Sequence, residues 1–70
     1  MRIRIYPRIS GVRPMLFSEV ENVKVVKDGK NWSIEFDHID HISKERKVDA
    51  HSHFTSESAM AYTILSETSL

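Results

Sequence analysis

The sequence contains no cysteine and only two glycines and two prolines among its 70 residues. Without cysteine, neither a disulfide nor a thiolate-bound metal can hold the fold together. With two glycines, the chain has little freedom to build the strained loops that many catalytic sites use. No segment approaches the roughly 18 apolar residues of a membrane-spanning helix, and the charged start lacks the apolar stretch of a signal peptide. We therefore expect a cytoplasmic protein without membrane association.

The chain also lacks a net charge, because ten basic residues balance ten acidic ones. A neutral chain argues against a general nucleic-acid binder, which is normally basic. Its length predicts one small β-rich domain over residues 1–70, and such a short domain often depends on a metal or a partner chain. A compact, neutral, cysteine-free chain suits a small accessory protein of a bacterium or bacteriophage.

The clearest local pattern is a β-hairpin. After the turn signal Asp28-Gly29, the apolar residues Trp32, Ile34 and Phe36 alternate with polar ones, as they do on a half-buried strand. A valine-rich run precedes the turn, and glycine provides the positive φ that a tight hairpin requires.

Further alternating segments predict strands over residues 2–9 and 47–54. Because Pro7 has no amide proton, the first strand should lie at a sheet edge or break near its end. Residues 59–66 fit a strand better than a short helix capped by Ser56.

Two segments stay ambiguous. Residues 15–21 are compatible with a single helical turn. The repeated triplet Asp-His-Ile over residues 37–42 fits a short 3₁₀ turn or a bulged strand, either of which would turn Ile39 and Ile42 inward.

Together these patterns predict an all-β fold with at most one short helix or 3₁₀ turn. We expect a small five-stranded antiparallel sheet or barrel, about the size of an SH3 domain. The predicted core consists of Ile3, Ile5, Val23, Val25, Trp32, Ile34, Phe36, Val48, Phe54 and Ile64.

All four histidines fall between positions 38 and 53, which makes a divalent metal site the first candidate. His51 and His53 should share one strand face, whereas His38 and His41 share a face only if the triplet is helical. Nitrogen and oxygen ligands suit zinc or a similar ion. No established zinc spacing is present, so solvated histidines on a polar sheet face are the simpler interpretation, with a pH response as a third.

The second candidate is a stripe of arginines near the amino terminus. The first 14 residues carry a charge of +4 and the rest of the chain carries −4. On an edge strand, these side chains would meet an acidic protein surface or the phosphates and bases of a nucleic acid, or would only protect the edge. The predicted partner-binding residues are Arg2, Arg4, Tyr6, Arg8 and Arg13.

No catalytic motif is present, and a core of about ten side chains leaves little room for a substrate pocket. The leading hypothesis is therefore a non-enzymatic protein-binding or accessory module without a cofactor. It would act by adding the strand around residues 2–9 to a partner sheet, in the simplest case that of a second copy. Nucleic-acid binding by the arginines and metal binding by the histidines are the alternatives.

Overall fold

The structure is a computed structural model that describes residues 1–65. Over this range the chain forms six β-strands and no helix. The strands are β1 (Arg2–Pro7), β2 (Met15–Phe17), β3 (Glu21–Asp28), β4 (Asn31–His41), β5 (Lys47–Thr55) and β6 (Ala59–Leu65).

The strands form two three-stranded antiparallel sheets. Sheet A has the order β2-β1-β6 and sheet B the order β3-β4-β5, so β1 and β4 are the central strands. The predicted all-β antiparallel class is confirmed, but five strands in one sheet or closed barrel is wrong. A short β2 adds the sixth strand, and no ladder of backbone hydrogen bonds joins the two sheets within the described range.

The two central strands meet at the core. Ile3 and Ile5 of β1 and Ile34 and Phe36 of β4 are completely buried in one apolar cluster. Burying one such side chain stabilises a fold by about 1.5–3 kcal/mol. The cluster also contains Val20 and Ala59, and its partly buried neighbours are Phe17, Val23, Trp32, Phe54 and Tyr62.

Three of the predicted core residues are exposed instead of buried. Val25, Val48 and Ile64 are 37–42% exposed. Each belongs to an outer strand, which has a neighbouring strand on one side only. Alternation correctly predicts which residues share a face, but it does not tell a central strand from an outer one.

The expected edge position of the first strand is wrong. β1 pairs with β2 on one side and β6 on the other, with Ile3 opposite both Phe17 and Ile64. Pro7 ends the strand at the point where its register with β6 shifts. The alternative, a break near the end of the strand, is therefore confirmed.

Residues 59–65 and the first part of the ambiguous segment 15–21 form strands. Residues 59–65 are β6, as favoured, so Ser56 caps no helix; residue 66 lies outside the described range. Instead of a helical turn, Met15–Phe17 forms β2. Its Phe17 ring lies 5.1 Å from that of Phe36 and 5.7 Å from that of Phe54, measured between ring centroids. β2 thus contributes aromatic contacts between the two sheets.

The repeated triplet is part of a regular strand, so both the 3₁₀ turn and the bulge in it are wrong. β4 pairs with β5 without interruption from Ser33 to His41. Ile39 therefore lies on the outer face of sheet B, and Ile42 is 61% exposed rather than inward. The register instead shifts in β3, between Glu21 and Lys24.

The predicted hairpin is confirmed. Asp28 pairs with Asn31, and Gly29 and Lys30 are the two central residues of the turn. Gly29 has a φ of 61°, as the first central residue of a type II′ turn does.

No helix in residues 1–65 has the length and apolar character to cross a membrane.

Replacing Gly29 tests the conformational demand of this turn. A Cβ at this position has no neighbouring atom within 4 Å, so Gly29→Ala should destabilise the fold only through its backbone, by about 1–2 kcal/mol. Urea denaturation measures this difference. The matched control Lys30→Ala changes the other central residue and should stay within about 0.5 kcal/mol of the original chain. Equal stability of all three proteins would contradict the assignment of the turn.

Candidate functional site

Two strained residues mark the start of β3. Glu19 and Asn22 have φ values of 53° and 54°, and they are the two non-glycine residues with positive φ in the described range. Asparagine tolerates this conformation better than most residues do. Asn22 lies within the register shift of β3. Strained backbone and β-bulges are both concentrated near functional sites, so this region is the first place to look for one.

A groove of about 860 Å³ opens beside this region. β3 begins opposite Asp37, so residues 38–41 of β4 pair with β5 alone, and the groove lies along this stretch. We call it the acidic groove. It is lined by Met1, Glu19, Val20, Glu21, Asp37, His38, Ile39, Asp49, Ala50 and His51.

The lining combines apolar and acidic side chains. Val20 and Ile39 are among its apolar residues, and Val20 is fixed in place because its amide donates to the carbonyl of Met1 at 3.0 Å. Four carboxylates surround them, and those of Glu19 and Asp37 are nearly half exposed. The groove therefore offers both a contact for an aliphatic chain and an excess of negative charge accessible to a ligand.

A polar network crosses the outer face of sheet B at the groove. The side chain of Asn22 donates to Asp37 Oδ2 at 2.8 Å, and His51 Nδ1 lies 2.7 Å from Asp37 Oδ1. His51 Nε2 lies 3.1 Å from Glu35 Oε2. The β4–β5 register causes this arrangement, because it places His51 directly opposite Asp37 and diagonal to Glu35.

The network favours the charged form of His51. Hydrogen bonds to Asp37 and then Glu35 raise the pKa of His51 above its ordinary value of 6.5. The hydrogen bond from His51, followed by that from Asn22, lowers the pKa of Asp37 below 3.8. Carboxylates only accept hydrogen bonds, so both contacts form together when both ring nitrogens of His51 donate, as they do in the imidazolium form. Its two nitrogens are thus occupied.

His38 has a structural position. It lies on the inner face of sheet B with 5% of its surface exposed, and its ring lies 4.8 Å from that of Phe17. His38 Nε2 is 2.8 Å from the hydroxyl of Ser52, and Nδ1 is 3.1 Å from Asp40. The expectation that all histidines lie on a solvated polar face is wrong for this residue.

The four predicted metal ligands do not converge. His51 and His53 share the outer face of sheet B, as predicted, and His41 lies on that face as well, whereas His38 points inward. His41 instead contacts Glu19 at 3.1 Å. Residues 1–65 contain no group of three or more His, Asp or Glu side chains arranged to hold a metal ion. Metal binding stays a prediction, and residues 1–65 contain no set of ligands already arranged for it.

The predicted arginine stripe is divided as well. Arg2, Arg4 and Tyr6 share the outer face of sheet A, where hydrogen bonds from Arg4 and then Thr63 lower the pKa of Tyr6. Arg8 lies beyond the end of β1, and its Nε donates to the carbonyl of Ser56 at 2.8 Å. The fifth predicted residue, Arg13, lies in the exposed loop before β2.

Sequence reasoning did not identify the groove itself. The sequence pattern predicts no site at Glu19, Glu21, Asp37 or Asp49, which line it. The one signal available was Asn22, a residue type that tolerates positive φ, between two stretches of strand-forming residues.

Comparison with protein-family models, curated proteins and solved structures finds no match.

Removing the His38 side chain tests its structural position. His38→Ala leaves a cavity beside Phe17 and removes the ring partner of Ser52, so we expect a loss of about 2–4 kcal/mol in the free energy of unfolding. The matched control His53→Ala removes an exposed imidazole and should cost less than about 0.5 kcal/mol. Chemical denaturation distinguishes the two. Similar losses in both variants would contradict the inward position of His38.

The Asp37–His51 contact predicts a pH-dependent contribution to stability. The raised pKa of His51 means that its contribution is complete below pH 6.5 and disappears as the pH rises through the raised value. The lowered pKa of Asp37 means that its contribution is complete above 3.8 and disappears as the pH falls through the lowered value. The difference in melting temperature between the original chain and His51→Gln should therefore be largest between these two pH values.

A titration followed by NMR checks the cause directly. Asp37→Asn should move the pKa of His51 back towards 6.5. The control Asp40→Asn removes a carboxylate that contacts His38 instead and should leave the pKa of His51 unchanged. Because His51 and Asp37 are both about half exposed, added salt should weaken the effect. An unchanged His51 titration in Asp37→Asn would show that the contact does not form.

Proposed function

We propose that the protein is a non-enzymatic protein-binding module that holds a basic segment of its partner in the acidic groove. It would act in the cytoplasm, a reducing compartment that suits a chain without cysteine.

The observation that carries this proposal is the combined lining of the groove. An arginine or lysine side chain has an aliphatic stem and a cationic end, and it contacts apolar surface with the stem while its charge stays at the water. Met1, which is 45% exposed, and Ile39 offer the apolar surface, and Glu19, Glu21 and Asp49 offer carboxylates. Arginine in particular forms paired hydrogen bonds with carboxylates and is enriched at protein interfaces.

The chemistry of the groove favours binding over catalysis. A histidine acting as a general base needs one nitrogen free to accept a proton. Both nitrogens of His51 contact carboxylates. His51 therefore offers no unoccupied nitrogen to a ligand in the groove.

Binding through the edge of the first strand is not supported, because β1 has a neighbouring strand on both sides. A partner strand would have to add to one of the outer strands β2, β3, β5 or β6. Self-association stays a prediction, and a second copy would also have to pair with one of these outer strands.

Nucleic-acid binding has one observation in its favour. The three strands of sheet A contain no acidic residue, and Arg2, Arg4 and Tyr6 share its outer face. Arginine and aromatic side chains together can contact phosphates and stacked bases. Two arginines make a small cationic surface, however, and the carboxylates of sheet B would repel phosphate, so this is the second candidate.

Fluorescence anisotropy with a labelled peptide of alternating arginine and leucine tests the proposal. We expect saturable binding that weakens as salt is added. The variant E19Q/E21Q/D49N removes three carboxylates from the groove and should reduce the affinity roughly tenfold, since each exposed ion pair contributes at most about 1 kcal/mol.

A matched variant separates the groove from net charge. D28N/E45Q/E57Q changes the charge by the same amount at three exposed positions outside the groove, and it should bind the peptide nearly as well as the original chain. Equal losses in the two triple variants, or no binding by the original chain, would refute the proposal. A labelled single-stranded oligonucleotide in the same assay tests the second candidate, which requires salt-sensitive binding.

A further inference from the structure

A second cavity lies at the opposite end of sheet B, beside the β3–β4 turn. Its volume is about 370 Å³, which is within the usual range for small-molecule sites. We call it the Trp32 pocket, and none of its lining residues is acidic. It is lined by Lys27, Gly29, Lys30, Asn31, Trp32, Met60, Ala61 and Tyr62.

An aromatic pair forms part of the wall. The rings of Trp32 and Tyr62 meet edge to face, with their centroids 4.8 Å apart. Both residues are only partly buried, so the core covers one part of each ring and leaves another part for the pocket. Met60, at 61% exposure, adds a flexible and polarizable side chain of the kind that adapts to a ligand. These three side chains offer a planar apolar molecule a stacking surface.

The backbone of Trp32 is held in place before any ligand arrives. Its carbonyl accepts a hydrogen bond from the amide of Ser56 at 2.9 Å, and its amide donates to the hydroxyl of the same serine at 3.3 Å. Ser56 is itself 8% exposed, and its carbonyl accepts from Arg8 at 2.8 Å. A wall that is already ordered loses less entropy on binding than a mobile one does.

Two cations and an amide lie beside the aromatic wall. Lys27 is directly opposite Trp32 in the β3–β4 register, and Lys30 occupies the second central position of the turn. Asn31 follows with a side-chain amide. With no carboxylate in the lining, these groups favour an anion at this end of the pocket.

We propose that the Trp32 pocket binds a small planar aromatic molecule that carries an anionic group. The ring would lie against Trp32 and Tyr62, and the anionic group would face Lys27 and Lys30. Two sources share this chemistry, namely aromatic carboxylates and nucleoside monophosphates. The proposal is independent of the acidic groove, because the two cavities have no lining residue in common.

Trp32 is the only tryptophan in the chain, so its fluorescence reports on this pocket alone. Benzoate and adenosine monophosphate represent the two sources. We expect a saturable change in Trp32 fluorescence with at least one of them, and the one that binds identifies the source. Adenosine, inorganic phosphate and acetate each supply only half of the chemistry and should bind at least about tenfold more weakly.

Paired lysine variants locate the anionic group. K27Q/K30Q should weaken binding roughly tenfold, whereas the control K44Q/K47Q makes the same change of charge away from the pocket and should have no effect. The groove variant E19Q/E21Q/D49N should also bind the aromatic anion normally, which separates this proposal from the proposed function. The proposal fails if neither aromatic anion gives a saturable change, or if both lysine pairs weaken binding equally.

Discussion

The contact between the two central strands is the interaction on which the rest of the structure depends. The two sheets share no ladder of backbone hydrogen bonds in residues 1–65, so side-chain packing must hold them together. Ile3 and Ile5 supply one side of this contact, and Ile34 and Phe36 supply the other. Phe17 of β2 extends it to the ring of Phe54. A chain of this size has few other sources of stability.

This interior also determines where a function can lie. Because the apolar residues of both sheets face each other, polar side chains are left on the outer faces and at the open ends between the sheets. Those ends contain the two cavities. The acidic groove lies where β4 extends beyond the start of β3, and the Trp32 pocket lies at the β3–β4 turn. Their linings are opposite in charge, although the chain as a whole is neutral. Net charge therefore says little about what either cavity binds.

Strand pairing explains why the candidate sites differ from those expected from the sequence. The clustered histidines look like one ligand set along the chain, but alternation in β4 turns His38 inward and His41 outward. The same pairing brings His51 opposite Asp37, which commits its imidazole to carboxylates. The arginine stripe does not lie on an edge strand, because β2 and β6 flank β1 on its two sides. A three-residue strand with only Met15, Leu16 and Phe17 has too short an alternation to be recognised.

The sequence by itself determined the local features: the all-β class, the Gly29 hairpin, the strand over residues 47–54 and the shared face of His51 and His53. Each depends on neighbours within a few residues, where alternation and glycine conformation act directly. Only the tertiary structure decided that β1 is central, that there are two sheets rather than one barrel, and which carboxylates border the groove. These three features depend on pairing between segments that are far apart in the sequence, such as β1 and β6. Local alternation does not select that pairing, because many pairings are compatible with the same local pattern.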